Sequence, residues 1–133
     1  MQVEPPSRAG PAHLLIAEDE PHIRRILMTL MESSGFEVEV ALDGRQALER
    51  LQSSKRYDLV LMDLLMPYLS GLDVLAETRK MPHRMGLPVV ILTAKGQDAD
   101  REQAISLGAA DFVTKPFSPK KLLKRVDQLL ASS

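Results

Sequence analysis

Five short apolar runs, each followed by a helical pattern, constrain the fold of this chain more than any other feature. The runs cover residues 14–17, 38–42, 59–62, 89–92 and 112–113. Most are continuous rather than alternating, which is typical of strands covered on both faces. The second run differs, because Glu37 and Glu39 alternate with Val38 and Val40. We therefore expect it to be an edge strand.

Amphipathic helical patterns separate the runs. The first carries apolar residues at helical spacing and is followed by Gly35, a plausible C-cap; its stripe is Ile23, Ile26, Leu27, Leu30 and Met31. The second follows Asp43-Gly44, and Ser70 is a plausible N-cap of the third. The fourth, from about 98 to 107, has few apolar anchors. The fifth begins at Ser118-Pro119, an N-cap followed by proline.

Strand and helix alternating five times predict an α/β fold, with a parallel sheet and helices on both faces. Its connections are right-handed, and ligands bind at the carboxyl ends of the strands. A chain of 133 residues is the size of one domain. Residues 1–11, which carry Pro5, Pro6 and Pro11, are predicted to be a disordered tail. The domain then covers 12–131, and 132–133 form the C-terminal end.

Composition excludes several classes of function. The chain has no cysteine, which excludes disulfides and thiolate metal sites. Its 17 basic and 18 acidic residues give a net charge of −1, so bulk charge does not attract nucleic acid or anionic membrane. No apolar run approaches the roughly 18 residues that span a bilayer, and the N-terminus does not resemble a secretory signal. We expect a cytoplasmic protein.

Polar residues follow the predicted strands. They are Glu18, Asp19 and Glu20 after the first, Asp63 after the third, Thr93 after the fourth and Lys115 after the fifth. Clustered carboxylates repel by roughly 4 kcal/mol per pair at 4 Å and an effective dielectric of 20, and Lys115 offsets only part of this. Mg²⁺ would relieve the rest, because it needs only one or two carboxylates.

A carboxylate beside Mg²⁺ can accept a phosphoryl group, as in aspartyl-phosphate enzymes. The transferred group carries negative charge on its equatorial oxygens. Mg²⁺, the Lys115 ammonium and the Thr93 hydroxyl would each stabilise one region of that charge.

Five motifs in order carry a family resemblance: Glu18-Asp19, Asp63-Leu64-Leu65-Met66-Pro67, Thr93-Ala94, Gly108-Ala109-Ala110-Asp111-Phe112 and Lys115-Pro116-Phe117. Over about residues 12–131 the chain resembles the receiver domain of bacterial two-component response regulators. Each motif is weak alone, and the ordered set is highly specific. The resemblance implies a flavodoxin-like doubly wound fold with sheet order 2-1-3-4-5.

The resemblance also implies residue roles. Asp63 would accept a phosphoryl group from a sensor histidine kinase or a histidine phosphotransfer protein. Mg²⁺ (or Mn²⁺) would be held by Asp19, Asp63 and the backbone carbonyl of Leu65, with Glu18 acting through water. Thr93 and Lys115 would bind the phosphoryl oxygens. Phe112 would be the rotating aromatic of the switch, and Lys115–Pro116 a cis peptide.

The implied function is a phosphorylation-dependent switch rather than a metabolic enzyme. The domain would catalyse its own phosphorylation and its own dephosphorylation. The surface formed by the fourth helix, fifth strand and fifth helix would then change for a downstream protein target or an effector domain. No direct contact with nucleic acid or membrane is expected from this domain. It would be a monomer or a phosphorylation-dependent dimer.

Some positions depart from the family pattern. Leu65, two residues after Asp63, cannot orient an attacking water, so we expect slow loss of the phosphoryl group. Lys95 stands at the other tuning position, two residues after Thr93. Ala110 and Lys121 replace acidic residues typical of receivers in winged-helix transcription factors, which weakens the expectation of their symmetric dimer. Tyr68-Leu69-Ser70 replaces a smaller, acidic turn.

Other interpretations remain open. Asp63 alone could be a turn residue, and the chain could be a phosphorylation-independent interaction module or part of a larger transcription factor or signalling enzyme. A haloacid-dehalogenase-type phosphatase would carry a second acid at Leu65, and a flavin phosphate would be repelled by the acidic residues 18–20. The basic residues Lys120, Lys121, Lys124 and Arg125 form a solvated helix face or, secondarily, a partner surface. His13, His22 and His83 show no ligand spacing.

Overall fold

The computed structural model describes residues 10–94 and 98–132. Its elements are β1 (His13–Ala17), α1 (Pro21–Ser33), β2 (Glu37–Ala41), α2 (Gly44–Gln52), β3 (Leu59–Asp63), α3 (Gly71–Thr78), β4 (Val89–Thr93), α4 (Asp98–Ser106), β5 (Asp111–Thr114) and α5 (Pro119–Ser132). A short 3₁₀ turn, Pro82–Arg84, precedes β4. Most of the predicted tail, residues 1–9, and the tuning position Lys95 lie outside the described residues.

The five strands form one parallel sheet of order β2-β1-β3-β4-β5. This confirms the predicted fold class and places β2 at an edge, as its alternating glutamates indicated. The predicted strand ends differ from the observed ones by about one residue. β2, for example, begins at Glu37, because the Glu37 N–H donates to the Ala12 carbonyl at 3.0 Å, and it ends before Leu42, which is exposed.

Side chains that alternate along the central strands build two apolar layers. One layer packs against α2, α3 and α4 and includes Leu15, Val60, Met62, Val89 and Ile91. The other packs against α1 and α5 and includes Leu14, Ile16, Leu59, Leu61, Val90 and Leu92. Helices therefore cover both faces, which explains why these runs are continuously apolar. Within the described residues, no helix is long and apolar enough to cross a membrane.

Recognisable caps occur at several helix ends, and those at Ser70 and Gly35 were predicted. Glu20 caps α1 by accepting from the backbone N–H groups of His22 and Ile23. Ser70 forms a reciprocal capping box with Asp73. Gly35, just past α1, has a positive φ, as a C-terminal glycine commonly does. Two residues expected to anchor their helices in the core are exposed instead, Ile26 on the α1 stripe and Ile105 on α4.

Sequence analysis missed the role of the α3–β4 connection. Arg84 is only 5% exposed and donates to the carbonyl oxygens of Leu51, Ser53 and Lys55, at 2.9, 3.0 and 2.6 Å. It therefore satisfies carbonyls at and beyond the C-terminus of α2. Burial lowers the pKa of this guanidinium. His83 Nε2 lies within 3.1 Å of two of the same carbonyls.

Candidate functional site

The carboxyl ends of β1, β3 and β5 bring three predicted site residues together. Lys115 Nζ donates to Glu18 Oε1 at 2.7 Å and to Asp63 Oδ2 at 3.2 Å. Glu18 is 1% exposed and Asp63 is 7% exposed, so both carboxylates are largely removed from solvent. The three groups come from distant parts of the chain and meet because parallel strands end at the same edge of a sheet.

Asp19 completes an acidic cluster. One carboxylate oxygen from each of Glu18, Asp19 and Asp63 lies within 4.8 Å of the other two. Two of these side chains are buried and Asp19 is exposed, so the cluster opens to solvent on one side. A set of oxygen donors of this kind suits a hard divalent cation such as Mg²⁺. The residues present therefore fit the predicted metal.

Burial and charge perturb the ionisable groups at this edge. Burial raises the pKa of Glu18 to about 7; Asp63 adds to this effect and the hydrogen bond from Lys115 opposes it. Burial by itself would lower the pKa of Lys115. The hydrogen bonds and charges of Glu18 and Asp63 outweigh burial, so the pKa of Lys115 is raised. The Lys115 ammonium is consequently held in its charged form beside Asp63.

Backbone hydrogen bonds fix the ends of β1 and β3, which carry the acidic side chains of the site. The N–H of Glu18 donates to the Ala41 carbonyl at 3.1 Å, and the N–H of Leu64 donates to the Leu92 carbonyl at 2.8 Å. Gly71 packs directly behind the acidic cluster. A Cβ at Gly71 would lie 2.4 Å from the Asp63 carbonyl oxygen, so any side chain here would displace the strand that carries Asp63.

Thr93 and Phe112 lie on the neighbouring strands β4 and β5. Thr93 is fully buried, and its carbonyl accepts from the Lys115 N–H at 2.7 Å. The Phe112 ring is buried as well, and the Arg101 guanidinium lies 5.0 Å from its centroid. The predicted cis peptide between Lys115 and Pro116 is confirmed.

The loop after β3 carries an arrangement that sequence analysis missed. Tyr68 is 70% exposed and has a φ of 72°, and the Arg45 guanidinium stacks 3.8 Å from its ring centroid. A positive φ is unusual for a bulky residue and marks local backbone strain. Gly44, at the start of α2, allows this loop to approach closely, since a Cβ there would lie 2.0 Å from the Leu69 carbonyl oxygen. Leu65, also in this loop, is exposed.

Comparison with known proteins defines the class. The profile of the response regulator receiver domain matches residues 14–127. The chain belongs to this family, whose members are signalling domains rather than metabolic enzymes and act in phosphorelays.

Particular relatives support the same class. A CpxR homologue from Haemophilus influenzae, described as a transcriptional regulatory protein, is 42% identical over 120 residues, which cover 90% of this chain and 51% of the relative. The chain thus spans about half the length of the curated relatives it matches.

Solved structures agree with the fold. The receiver domain of Francisella response regulator 1452 superposes with a TM-score of 0.83 and 33% identity, covering 91% of this chain and 98% of that domain. The receiver domain of a sensor histidine kinase from Pseudomonas aeruginosa superposes with a TM-score of 0.84 and 29% identity, covering 92% and 99%. That structure has a magnesium ion coordinated in its active-site cleft.

Proposed function

We propose that Asp63 accepts a phosphoryl group from a histidine kinase or a histidine phosphotransfer protein. The observation that carries this proposal is the position of the Asp63 carboxylate, which accepts from the Lys115 ammonium and lies within 4.8 Å of an oxygen of Glu18 and one of Asp19. Phosphoryl transfer to Asp63 needs a nearby positive charge that stabilises the negative charge of the transferred group without itself accepting that group. A lysine held charged, 3.2 Å from one Asp63 oxygen, meets that need.

In the proposed reaction a carboxylate oxygen of Asp63 attacks the phosphorus atom of the donor phosphohistidine. The new O–P bond forms as the P–N bond breaks, and the electron pair of that bond returns to the imidazole nitrogen. The Lys115 ammonium and the Thr93 hydroxyl bind the phosphoryl oxygens. The donor set of Glu18, Asp19, Asp63 and the Leu65 carbonyl would hold Mg²⁺ (or Mn²⁺), which supplies further positive charge to the transferred group.

Phosphorylation then acts as a switch. Thr93 would move toward the new oxygens and Phe112 would follow, which changes the surface of α4, β5 and α5. The partner on that surface is a downstream protein target or an effector domain, and the domain acts as a monomer or a phosphorylation-dependent dimer. We place the receiver at residues 12–131, and in the cytoplasm, where a kinase phosphohistidine is formed.

Exposed Leu65 supports a long-lived phosphoryl group. Its side chain has no hydrogen-bonding atom that could orient a water toward the acyl phosphate. We therefore propose that Asp63 loses the phosphoryl group over minutes or longer; loss within seconds would contradict this.

Intact mass spectrometry after incubation with acetyl phosphate and Mg²⁺ tests the function. We expect a gain of one phosphoryl group that disappears in Asp63→Asn and in the presence of EDTA. Asp127→Asn removes a carboxylate from the exposed side of α5 and is the matched control, which should behave as the unmodified chain does. A gain that persists in Asp63→Asn, or no gain under any condition, would overturn the proposal.

A further inference from the structure

The loop that joins β3 to α3, residues 64–70, has a strained turn at its centre. The Leu69 N–H donates to the Pro67 carbonyl at 2.9 Å, which closes a three-residue turn around Tyr68. Tyr68 has a φ of 72°, the value found in the rare, strained form of the γ-turn. A residue with a Cβ persists in such a conformation only when surrounding contacts offset its cost. The turn therefore needs support from outside the loop.

The start of α2 supplies that support. The Gly44 N–H donates to the Pro67 carbonyl at 3.3 Å, which ties the turn to the helix. The Arg45 guanidinium lies 3.8 Å from the centroid of the Tyr68 ring, within the range of a cation–π contact. Tyr68 is 70% exposed, so burial in the core contributes little to the position of its ring. The stack on Arg45 is therefore the contact that restrains this side chain.

The same loop contacts the acceptor carboxylate. The Leu65 N–H donates to Asp63 Oδ1 at 3.4 Å, while Lys115 Nζ donates to Asp63 Oδ2 at 3.2 Å. Leu65 is also the residue whose carbonyl would hold Mg²⁺ in the proposed function. Both ends of the loop are pinned together, since the Gly71 N–H donates to the Leu64 carbonyl at 2.8 Å. Because the ends are fixed, a change in the turn has to be taken up by the backbone beside it, which includes Leu65.

We propose that Arg45 and Tyr68 are positioning residues for Mg²⁺ binding and phosphoryl transfer at Asp63. Their stack holds the turn in its strained conformation and so fixes the Leu65 backbone beside the acceptor. Neither side chain acts on the phosphoryl group; both act through the backbone of the loop. This deepens the proposed function and rests on it for phosphoryl transfer, although not for the conformation of the loop.

The charge of Arg45 alone would have the opposite effect on Mg²⁺ binding. A cation near an acidic cluster repels Mg²⁺, so removal of the guanidinium should strengthen binding if only charge matters. If the stack positions the loop, Arg45→Ala should weaken Mg²⁺ binding, because the Leu65 carbonyl is no longer held in place. Tyr68→Ala changes no charge and should weaken binding to a similar extent. The direction of the change in Arg45→Ala therefore separates positioning from electrostatics.

Titration of Mg²⁺ alone into the isotope-labelled full chain tests the proposal without any phosphoryl transfer. The backbone amide NMR signals of the loop report the dissociation constant. We expect it to rise about tenfold in Arg45→Ala and in Tyr68→Ala, as for loss of residues that orient a metal ligand. Tyr68→Phe keeps an aromatic ring for the stack and should stay within about twofold of the unsubstituted chain. Arg25→Ala, which removes an exposed arginine from α1, is the matched control and should change nothing.

The double variant Arg45→Ala/Tyr68→Ala shows whether the two residues act through one contact. If they do, it should bind Mg²⁺ no more weakly than either single variant, since the stack can be lost only once. The initial rate of phosphorylation by acetyl phosphate, followed by intact mass, should fall in the same variants when Mg²⁺ is below saturation. Thermal unfolding checks that every variant is folded.

Several outcomes would overturn the proposal. They are unchanged or tighter Mg²⁺ binding in Arg45→Ala, losses that add in the double variant, a Tyr68→Phe protein that binds as weakly as Tyr68→Ala, and no Mg²⁺ binding by the unsubstituted chain. Lower thermal stability with unchanged Mg²⁺ affinity would likewise reject it, since the stack would then have a structural role alone.

The positioning role and the phosphoacceptor function fail separately. Weaker Mg²⁺ binding in the two alanine variants, with no gain of a phosphoryl group by any chain, rejects the phosphoacceptor function and leaves the positioning of the loop. Normal phosphorylation of the unsubstituted chain, with the same Mg²⁺ affinity and rate in both alanine variants, rejects the positioning role and leaves the phosphoacceptor function.

Discussion

The helices α4 and α5 flank the same strand, yet the core anchors them very differently. α5 buries Leu122, Val126 and Leu130, whereas α4 buries Ala104 and leaves its other residues exposed or partly exposed. Burying one large aliphatic side chain contributes about 1.5–3 kcal/mol. The difference teaches that α5 is part of the hydrophobic core, whereas α4 packs on the surface of the domain with little apolar burial.

Because α4 buries little apolar surface, hydrogen bonds near its C-terminal end help to hold it. The turn after the helix contains Gly108, whose carbonyl accepts from Arg79 Nη2 at 2.9 Å. The Ala109 N–H donates to the Ala104 carbonyl, also at 2.9 Å. Contacts of this kind fix the end of a helix more firmly than its middle. With fewer buried side chains than α5, α4 should open locally at a lower free-energy cost.

The largest expected effect comes from truncating a buried leucine of α5, compared with truncating an exposed isoleucine of α4. Leu122→Ala should lower the free energy of unfolding by about 2–5 kcal/mol, because it leaves a cavity in the core. Ile105→Ala, at a position that is 52% exposed on α4, should cost less than about 1 kcal/mol. Urea denaturation measures both. Equal costs would show that α4 is anchored as firmly as α5.

Amide hydrogen exchange should show the same contrast without mutation. We expect the hydrogen-bonded amides of α4 to exchange roughly a hundredfold faster than those in the middle of α5, since few buried contacts oppose local opening of α4. Mass spectrometry of peptic fragments resolves the two helices. Matching protection would place them in one cooperative unit and contradict the proposed mobility.

One added methyl group, at Gly108, tests the contact between Arg79 and the turn after α4. Gly108 has a φ of +92°, and a Cβ there would lie 2.9 Å from Arg79 Nε. Gly108→Ala should therefore cost about 1–2 kcal/mol from backbone strain. Gly86→Ala is the control, since a Cβ at Gly86 meets no atom within 4 Å and its φ is not positive. A Gly108→Ala protein as stable as the control would show that the tight helix end is not needed.

The smallest expected effect comes from the ion pair between α5 and β5. Arg125→Ala removes the ion pair with Asp111, whose two side chains are both partly exposed. Because solvent screens such a pair, stability should fall by less than about 1 kcal/mol. Thermal unfolding at low and high salt provides the measurement. A loss of several kcal/mol would mean that this ion pair, rather than the apolar stripe, anchors α5 to β5.

Much of the fold could be predicted because the signals are local. Continuous apolar runs indicated covered strands, alternating glutamates indicated the edge position of β2, and Ser70 indicated the start of α3. The convergence of Asp63 and Lys115 was predictable as well, because it follows from where parallel strands end. Their placement is what the proposed acceptor and charge-stabilising roles require.

The features that were missed depend on contacts between distant residues. Arg84 donates to carbonyls that lie 29 to 33 residues earlier in the chain, and nothing near Arg84 in the sequence marks this partnership. The stack of Arg45 on Tyr68 likewise requires two loops to meet. The helical pattern predicted Ile26 to be buried. The pattern could not show how wide a face of α1 the sheet and α5 cover, and Ile26 lies outside that face.

The sequence by itself determined the order of strands and helices, the family and the set of polar residues at the sheet edge. Each of these follows from the spacing of residues along the chain. Helix and strand periodicity, together with the common direction of the strands, decide where residues at that spacing lie in the fold. Only the tertiary structure decided which lysine contacts which carboxylate, how unequally α4 and α5 are anchored, and that Arg45 stacks on Tyr68. Those properties depend on side-chain packing between distant segments, which the linear pattern does not encode.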